Sequence, residues 1–73
     1  MNDKRERFKR VATRRTNAVL KKLQILGNCA NKSAYEYTEE EVNKIFSEIE
    51  KELKLTRMKF QFANNSKRQE FKL

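Results

Sequence analysis

The sequence contains no histidine, no proline and no tryptophan, and it has one glycine and one cysteine. With no histidine and a single thiol, the chain lacks a nitrogen and sulfur ligand set for zinc, and it cannot form an intrachain disulfide. No apolar run approaches the roughly 18 residues of a membrane span, and no apolar segment of a secretory signal follows the basic start. We therefore expect a protein of the reducing cytoplasm, with no cofactor, no metal and no membrane association.

The chain also has too few residues, and too few hydrophobic ones, to enclose an active site. A chain of 73 residues, of which 37% are hydrophobic, cannot surround a substrate cavity of ordinary size. No glycine-rich phosphate loop and no pair of catalytic carboxylates can be drawn, and Cys29 has no histidine to act as its base. We expect a single small domain that is not an enzyme, with Cys29 as a buried small apolar side chain.

The first predicted helix covers about residues 3–26, because apolar residues recur there at steps of three and four. Asp3, with Glu6 three positions later, resembles a capping box, although Asn2 is an alternative cap. Gly27 is expected to close the helix in the left-handed conformation. The apolar side chains of this helix are Phe8, Val11, Ala12, Val19, Leu23 and Leu26.

The second predicted helix covers about residues 38–60 and has the clearer start. Thr38 offers a hydroxyl cap, and the three glutamates that follow place negative charge at the positive end of the helix dipole. Two amphipathic helices and one joint predict an all-α antiparallel hairpin formed by residues 1–60. The stripe of this helix consists of Val42, Ile45, Phe46, Ile49, Leu53, Thr56 and Phe60.

Residues 61–73 are expected to form a frayed, flexible basic tail, since Asn64, Asn65 and Ser66 interrupt the apolar pattern. Met58, Phe60 and Phe62 alternate with polar residues, and Tyr35 and Tyr37 alternate likewise around Glu36. Two short strands, one of them over 58–62, are therefore an alternative to continued helix. The small core favours a second copy that completes a four-helix bundle. The alternative is a monomer whose hairpin is covered by Phe60, Phe62, Phe71 and Leu73.

Charge is distributed unevenly along the chain. Residues 1–32 carry ten basic and two acidic side chains, residues 33–56 carry three and seven, and residues 57–73 carry five and one. Opposite charge on the two helices favours their pairing, although each exposed ion pair contributes only about 0.2–1 kcal/mol. The formal net charge of +8 exceeds what such pairing explains and indicates an acidic or polyanionic partner.

A row of cationic and amide side chains lies opposite the apolar stripe of the first helix, and we call it the basic row. Arginine presents a planar fork to phosphate or guanine, and asparagine and glutamine can bridge adenine. The pattern predicts a nucleic-acid-binding face, while a solvated helix face is the simpler alternative. The basic row consists of Arg7, Arg10, Arg14, Asn17, Lys21 and Gln24. Arg15 and Lys22 fall instead within the apolar stripe, where a pair with Glu52 or contact with an acidic partner would account for them.

The connector between the helices, residues 28–37, is longer than is usual for paired helices. Its asparagines and Ser33 can bond neighbouring backbone groups and make a compact turn. A functional alternative is that Lys32 binds phosphate, while Tyr35 or Tyr37 stacks on a base or fills a pocket of a protein partner.

Residues 7–60 contain the segments LGNCANKS, YEYTEE and KIFSEIE. In these segments the chain resembles small uncharacterised basic helical proteins encoded by bacterial plasmids, phages and conjugative elements. The resemblance implies a bacterial cytoplasmic protein with an accessory role, and it brings no catalytic residues. We expect a nucleic-acid-binding regulatory protein, in which DNA and RNA are not distinguished. The alternative is an inhibitor or adaptor that contacts a nucleic-acid-handling host enzyme, an anti-defence role.

Overall fold

The computed structural model describes residues 3–68, and the side chains of residues 3–64. It consists of helix α1 (Asp3–Gly27), a 3-10 turn (Asn28–Ala30) and helix α2 (Glu39–Arg68). The described residues contain no strand, so the predicted all-α class is confirmed. The chain divides between Glu36 and Tyr37 into two units, one containing α1 and the other containing α2.

Helix α1 begins where the sequence predicts it. Asp3 is its first helical residue rather than its cap, and Asn2, the alternative cap, lies outside the described residues. Asp3 and Glu6 both lie in the first turn, where their carboxylates complement the positive end of the helix dipole. The charge pattern at this end therefore supports the helix whichever residue caps it.

The end of α1 is also close to its predicted position, but its predicted geometry is wrong. Gly27 has φ −58° and ψ −26°, which is right-handed helical conformation, and no described residue has a positive φ. The chain tightens into the 3-10 turn instead, with the amide of Asn31 donating to the carbonyl of Asn28 at 3.4 Å. Asn31, at φ −68° and ψ 103°, is the residue at which the chain becomes extended. A 3-10 turn satisfies terminal carbonyls without a left-handed residue, so the glycine is not required for the helix to end.

Helix α2 starts immediately after Thr38, as predicted, and its first backbone hydrogen bond joins the amide of Val42 to the carbonyl of Thr38 at 3.2 Å. The predicted end near residue 60 is wrong, because the helix continues to Arg68. The polar residues after Ala63 cost only a few tenths of a kcal/mol each relative to good helix formers, and no proline or glycine interrupts the helix. The predicted fraying therefore does not begin at residue 61, and residues 69–73 lie outside the described part of the chain.

The strand alternative for residues 58–62 is also excluded, because these residues belong to α2. A strand there would need a neighbouring strand to accept its backbone hydrogen bonds, whereas a helix satisfies them within the segment. The helix changes which side chains share a face. Met58 and Phe62 lie one turn apart on one side of α2, and Phe60 points away from them.

Within each helix, the predicted apolar stripe is present but not buried. No side chain among residues 3–64 is buried, and Leu53 in the middle of the α2 stripe is 66% exposed. The half-exposed side chains of the helices all belong to the stripes, and they are Val11, Ala12, Leu26, Val42 and Ile49. Each helix thus presents a stripe that gains free energy when another surface covers it.

Candidate nucleic-acid interface

The basic row lies on one uninterrupted helix, since all six of its residues fall between Asp3 and Gly27. From Arg7 to Gln24 it extends about 25 Å along the axis at 1.5 Å per residue. All six side chains are exposed. A single helix therefore holds the whole row at fixed spacing along one side, which is what a groove-binding or phosphate-binding face requires.

The structure brings three residues of the basic row together in one open depression of the α1 surface. Arg10, Arg14 and Asn17 line it, at steps of four and three residues. Lys9, Thr13 and Glu6 complete the lining, and sequence reasoning did not include them. Glu6 and Thr13 lie four and three residues from Arg10, and Lys9 lies three and four residues from Glu6 and Thr13. This helical spacing is the signal that would have found them. Two guanidinium groups, an ammonium group and neutral donors thus converge on one surface.

Two carboxylates stand among the cations at the start of the row. Asp3, Glu6, Arg7 and Arg10 line a second open depression, so Arg7 and Arg10 each share a surface with acidic side chains. Glu6 also borders the first depression. A carboxylate beside an arginine competes with phosphate for the same donors and lowers the local positive potential.

The remainder of α1 has a different charge balance. No acidic residue occurs between Arg7 and Gly27, whereas this part of the helix carries Arg10, Arg14 and Lys21 of the basic row. The field that attracts an anion is therefore strongest beyond the first two turns of α1, from Arg14 towards Lys21. Asn17 and Gln24 lie in this same part of the row, so the amides and the least neutralised cations coincide.

The connector forms a compact hydrogen-bonded turn centred on Asn31. Its side-chain oxygen accepts a hydrogen bond from the amide of Ser33 at 3.0 Å. Its backbone carbonyl accepts from the amides of Ala34 at 3.1 Å and Tyr35 at 3.0 Å. The predicted compact turn is confirmed, and the side chain of Asn31 bonds the backbone as expected, whereas Ser33 contributes its backbone amide and Asn28 its backbone carbonyl.

The candidate residues of the connector are placed on this turn and after it. Lys32 is exposed within the turn, and Tyr35, which is 54% exposed, follows it in the same unit as α1. Tyr37 is half-exposed and belongs to the unit of α2. Cys29 is exposed in the 3-10 turn, so its predicted burial is wrong, because a surface turn leaves no apolar interior around it.

Comparisons of this chain with protein families, with curated proteins and with solved structures find no match. In the described part of the chain, no helix combines the length and the apolar character that crossing a bilayer requires.

Proposed function

We propose that this chain is a non-enzymatic nucleic-acid-binding protein that contacts phosphates and bases through the basic row of α1. The observation that carries the proposal is the exposure of all six row residues on one continuous helix. Arginine and lysine heads supply the phosphate contacts, and Asn17 and Gln24 are placed to meet base edges if the helix enters a groove. Lys32, which is exposed in the connector, is proposed as a further phosphate contact.

The charge balance within α1 refines this proposal. Arg14 and Lys21 are the principal phosphate contacts, because Asp3 and Glu6 lie within one turn of Arg7 and Arg10. Arg14 lies two turns beyond Glu6, although both line the first depression. The binding energy is then largely electrostatic and falls with salt, by about 0.9 units of log affinity per unit of log salt for each phosphate contact.

The two apolar stripes lead to a proposal for the arrangement of the helices. We propose that α1 and α2 pack as an antiparallel hairpin through these stripes, and that a second copy completes a four-helix bundle. Covering side chains such as Leu53 at about 25 cal/mol per Å² supplies the stabilisation that the separate helices lack. The hairpin leaves the basic row on the outside, opposite the packed stripe of α1.

For the biological setting, we propose an accessory or regulatory role in the cytoplasm of a bacterium that carries a mobile element. This role rests on the resemblance of the segments LGNCANKS, YEYTEE and KIFSEIE. The second candidate function is an inhibitor or adaptor that binds a nucleic-acid-handling enzyme. The exposure of Tyr35 beside a hydrogen-bonded turn favours it, because exposed tyrosines anchor protein interfaces.

The test of nucleic-acid binding is charge reversal of the row. Arg10→Glu with Arg14→Glu is expected to abolish retention of labelled duplex and single-stranded oligonucleotides at 0.1 M salt, because two phosphate donors become repulsive. The matched control, Lys44→Glu with Arg57→Glu, makes the same change in net charge on α2 and is expected to retain binding. If the parent binds neither polymer, or if both double variants bind equally well, the basic row is not a nucleic-acid interface.

A further inference from the structure

The C-terminal half of α2 carries three further apolar side chains that lie outside the α2 stripe. Leu55, Met58 and Phe62 follow one another at steps of three and four residues and fall within about 60° of one another around the helix. They are 48%, 37% and 64% exposed, respectively. Thr56 and Phe60 lie on the opposite side, at the end of the α2 stripe that begins at Val42, which we call the long stripe. We call the three side chains the second face.

A hairpin partner covers only one side of a helix. The long stripe occupies the side of α2 that we propose to face α1, and the second face points roughly the other way. Packing α1 against the long stripe would therefore leave Leu55, Met58 and Phe62 open to another molecule. Leucine, methionine and phenylalanine at steps of three and four are the anchor pattern with which a helix docks against a protein surface.

Lysines surround the second face. Lys54 lies along one edge, Lys59 lies along the other, and Lys51 lies one turn before Leu55. All three are exposed. Glu52 lies on the Lys59 side and Glu48 lies about two turns before Leu55, so two carboxylates are also near this region. The Lys54 edge of the apolar patch is basic, and the other edge carries Lys59 one turn after Leu55 and Glu52 three residues before it. Three lysines against one adjacent carboxylate leave the border basic in sum.

This charge pattern decides between the possible occupants. A second copy docked through the same face would bring its own lysines against Lys51, Lys54 and Lys59, and like charges across an interface are unfavourable. A bilayer surface would gain little from three apolar side chains, since its binding scales with the apolar area inserted. An apolar surface bordered by carboxylates matches both the anchors and the rim.

We infer that the second face docks an acidic amphipathic helix of a partner protein. Leu55, Met58 and Phe62 insert between apolar side chains of that helix, and Lys51, Lys54 and Lys59 lie against its glutamates or aspartates. This surface is separate from the basic row, so the inference goes beyond nucleic-acid binding. The protein then joins a nucleic acid held by α1 to a protein held by α2.

The experiment uses a labelled synthetic peptide of about three heptads with leucine at the two core positions of each heptad and glutamate beside them. Fluorescence anisotropy is expected to show saturable binding to the full chain with a dissociation constant below about 100 μM. Leu55→Gln with Phe62→Gln is expected to weaken binding at least tenfold, since two buried anchors are lost without a change in charge. Lys54→Glu with Lys59→Glu is expected to weaken it similarly.

Two controls separate the second face from general electrostatic attraction. A peptide with serine in place of each leucine keeps its charge and is expected to bind at least tenfold more weakly. Arg57→Glu reverses a charge in the same segment but away from the second face, and it is expected to leave peptide binding within about twofold of the parent. Circular dichroism of each variant verifies that its helix content is retained.

The inference is overturned if the leucine peptide does not bind, if the serine peptide binds as tightly, or if Leu55→Gln with Phe62→Gln binds like the parent. It is also overturned if vesicles of anionic phospholipid, and not the peptide, bind through Leu55 and Phe62. Retention of oligonucleotides is measured on the same variants. Loss of peptide binding with unchanged oligonucleotide retention supports the inference, and failure of oligonucleotide binding alone refutes only the proposed function.

Discussion

Thr38 and Glu41 cap helix α2 reciprocally. The amide of Glu41 donates to the hydroxyl oxygen of Thr38 at 3.1 Å, and the amide of Thr38 donates to the carboxylate of Glu41 at 2.8 Å. Two amides at the helix start that would otherwise lack a partner are satisfied by this exchange. The bonds join residues three positions apart, so they form without any contact from the rest of the chain.

Removal of the cap is expected to destabilise the protein. Thr38→Ala should lower the free energy of unfolding by about 1 kcal/mol, because the amide of Glu41 loses its acceptor. Urea denaturation followed by circular dichroism measures the change. Thr16→Ala, the same substitution in the middle of α1, is the matched control and should be neutral or slightly stabilising, since alanine is the better helix former. Equal effects of the two substitutions would show that the cap does not stabilise α2.

Gly27→Ala is expected to stabilise the protein by about 0.4–1 kcal/mol. Gly27 has right-handed helical angles, and a Cβ atom built on it meets nothing within 4 Å. Alanine therefore fits the folded chain while it restricts the unfolded one. The melting temperature and the urea midpoint should both rise. A fall in stability would instead indicate that Gly27 adopts the left-handed conformation in solution.

Glu6→Gln is expected to strengthen nucleic-acid binding, because Glu6 lies in the depressions lined by Arg10. Removing its charge should raise affinity about threefold at 0.1 M salt, in keeping with the weak interactions of exposed charges. Filter retention of labelled oligonucleotides measures the effect. Glu50→Gln makes the same change in charge on α2, and an equal gain from it would attribute the effect to net charge and not to the basic row.

The proposed hairpin is tested by placing charge in its stripes. Leu23→Asp in α1 and Ile49→Asp in α2 are each expected to reduce helical circular dichroism and the melting temperature strongly, because packing would bury an unpaired carboxylate. Glu50→Asp, which lies outside the α2 stripe, is the control and should change little. If both aspartate variants in the stripes melt like the parent, these two side chains are not packed against another helix.

Local sequence signals accounted well for where the helices begin. Thr38 and the glutamates after it act within one turn, so the start of α2 could be predicted from a few residues. The end of α1 was predicted to within one residue for a different reason, because the apolar period stops at Leu26. The placement of the basic row along one side of α1 likewise follows from the 3.6-residue period.

Other features could not be predicted from local patterns. Glycine can adopt the left-handed conformation that ends many helices, but nothing forces it to do so. Helix α1 ends in the 3-10 turn instead. The Asn64–Ser66 segment is a weak helix former that is still compatible with a helix, so composition could not decide where α2 ends. The four-residue spacing of Glu6 and Arg10 predicts that they are neighbours on the helix. Only the structure shows that both line the depression that contains Arg14 and Asn17.

The helical class of the described chain follows from its residues alone, since no proline interrupts it and each apolar stripe has the helical period. The three-dimensional structure alone decided how the side chains of residues 55–62 are distributed. An alternating pattern places Met58, Phe60 and Phe62 on one face of a strand, whereas the continued helix separates Phe60 from the other two. The physical reason is that backbone hydrogen bonds are satisfied within a helix but need a neighbour in a strand, and this choice is what creates the second face.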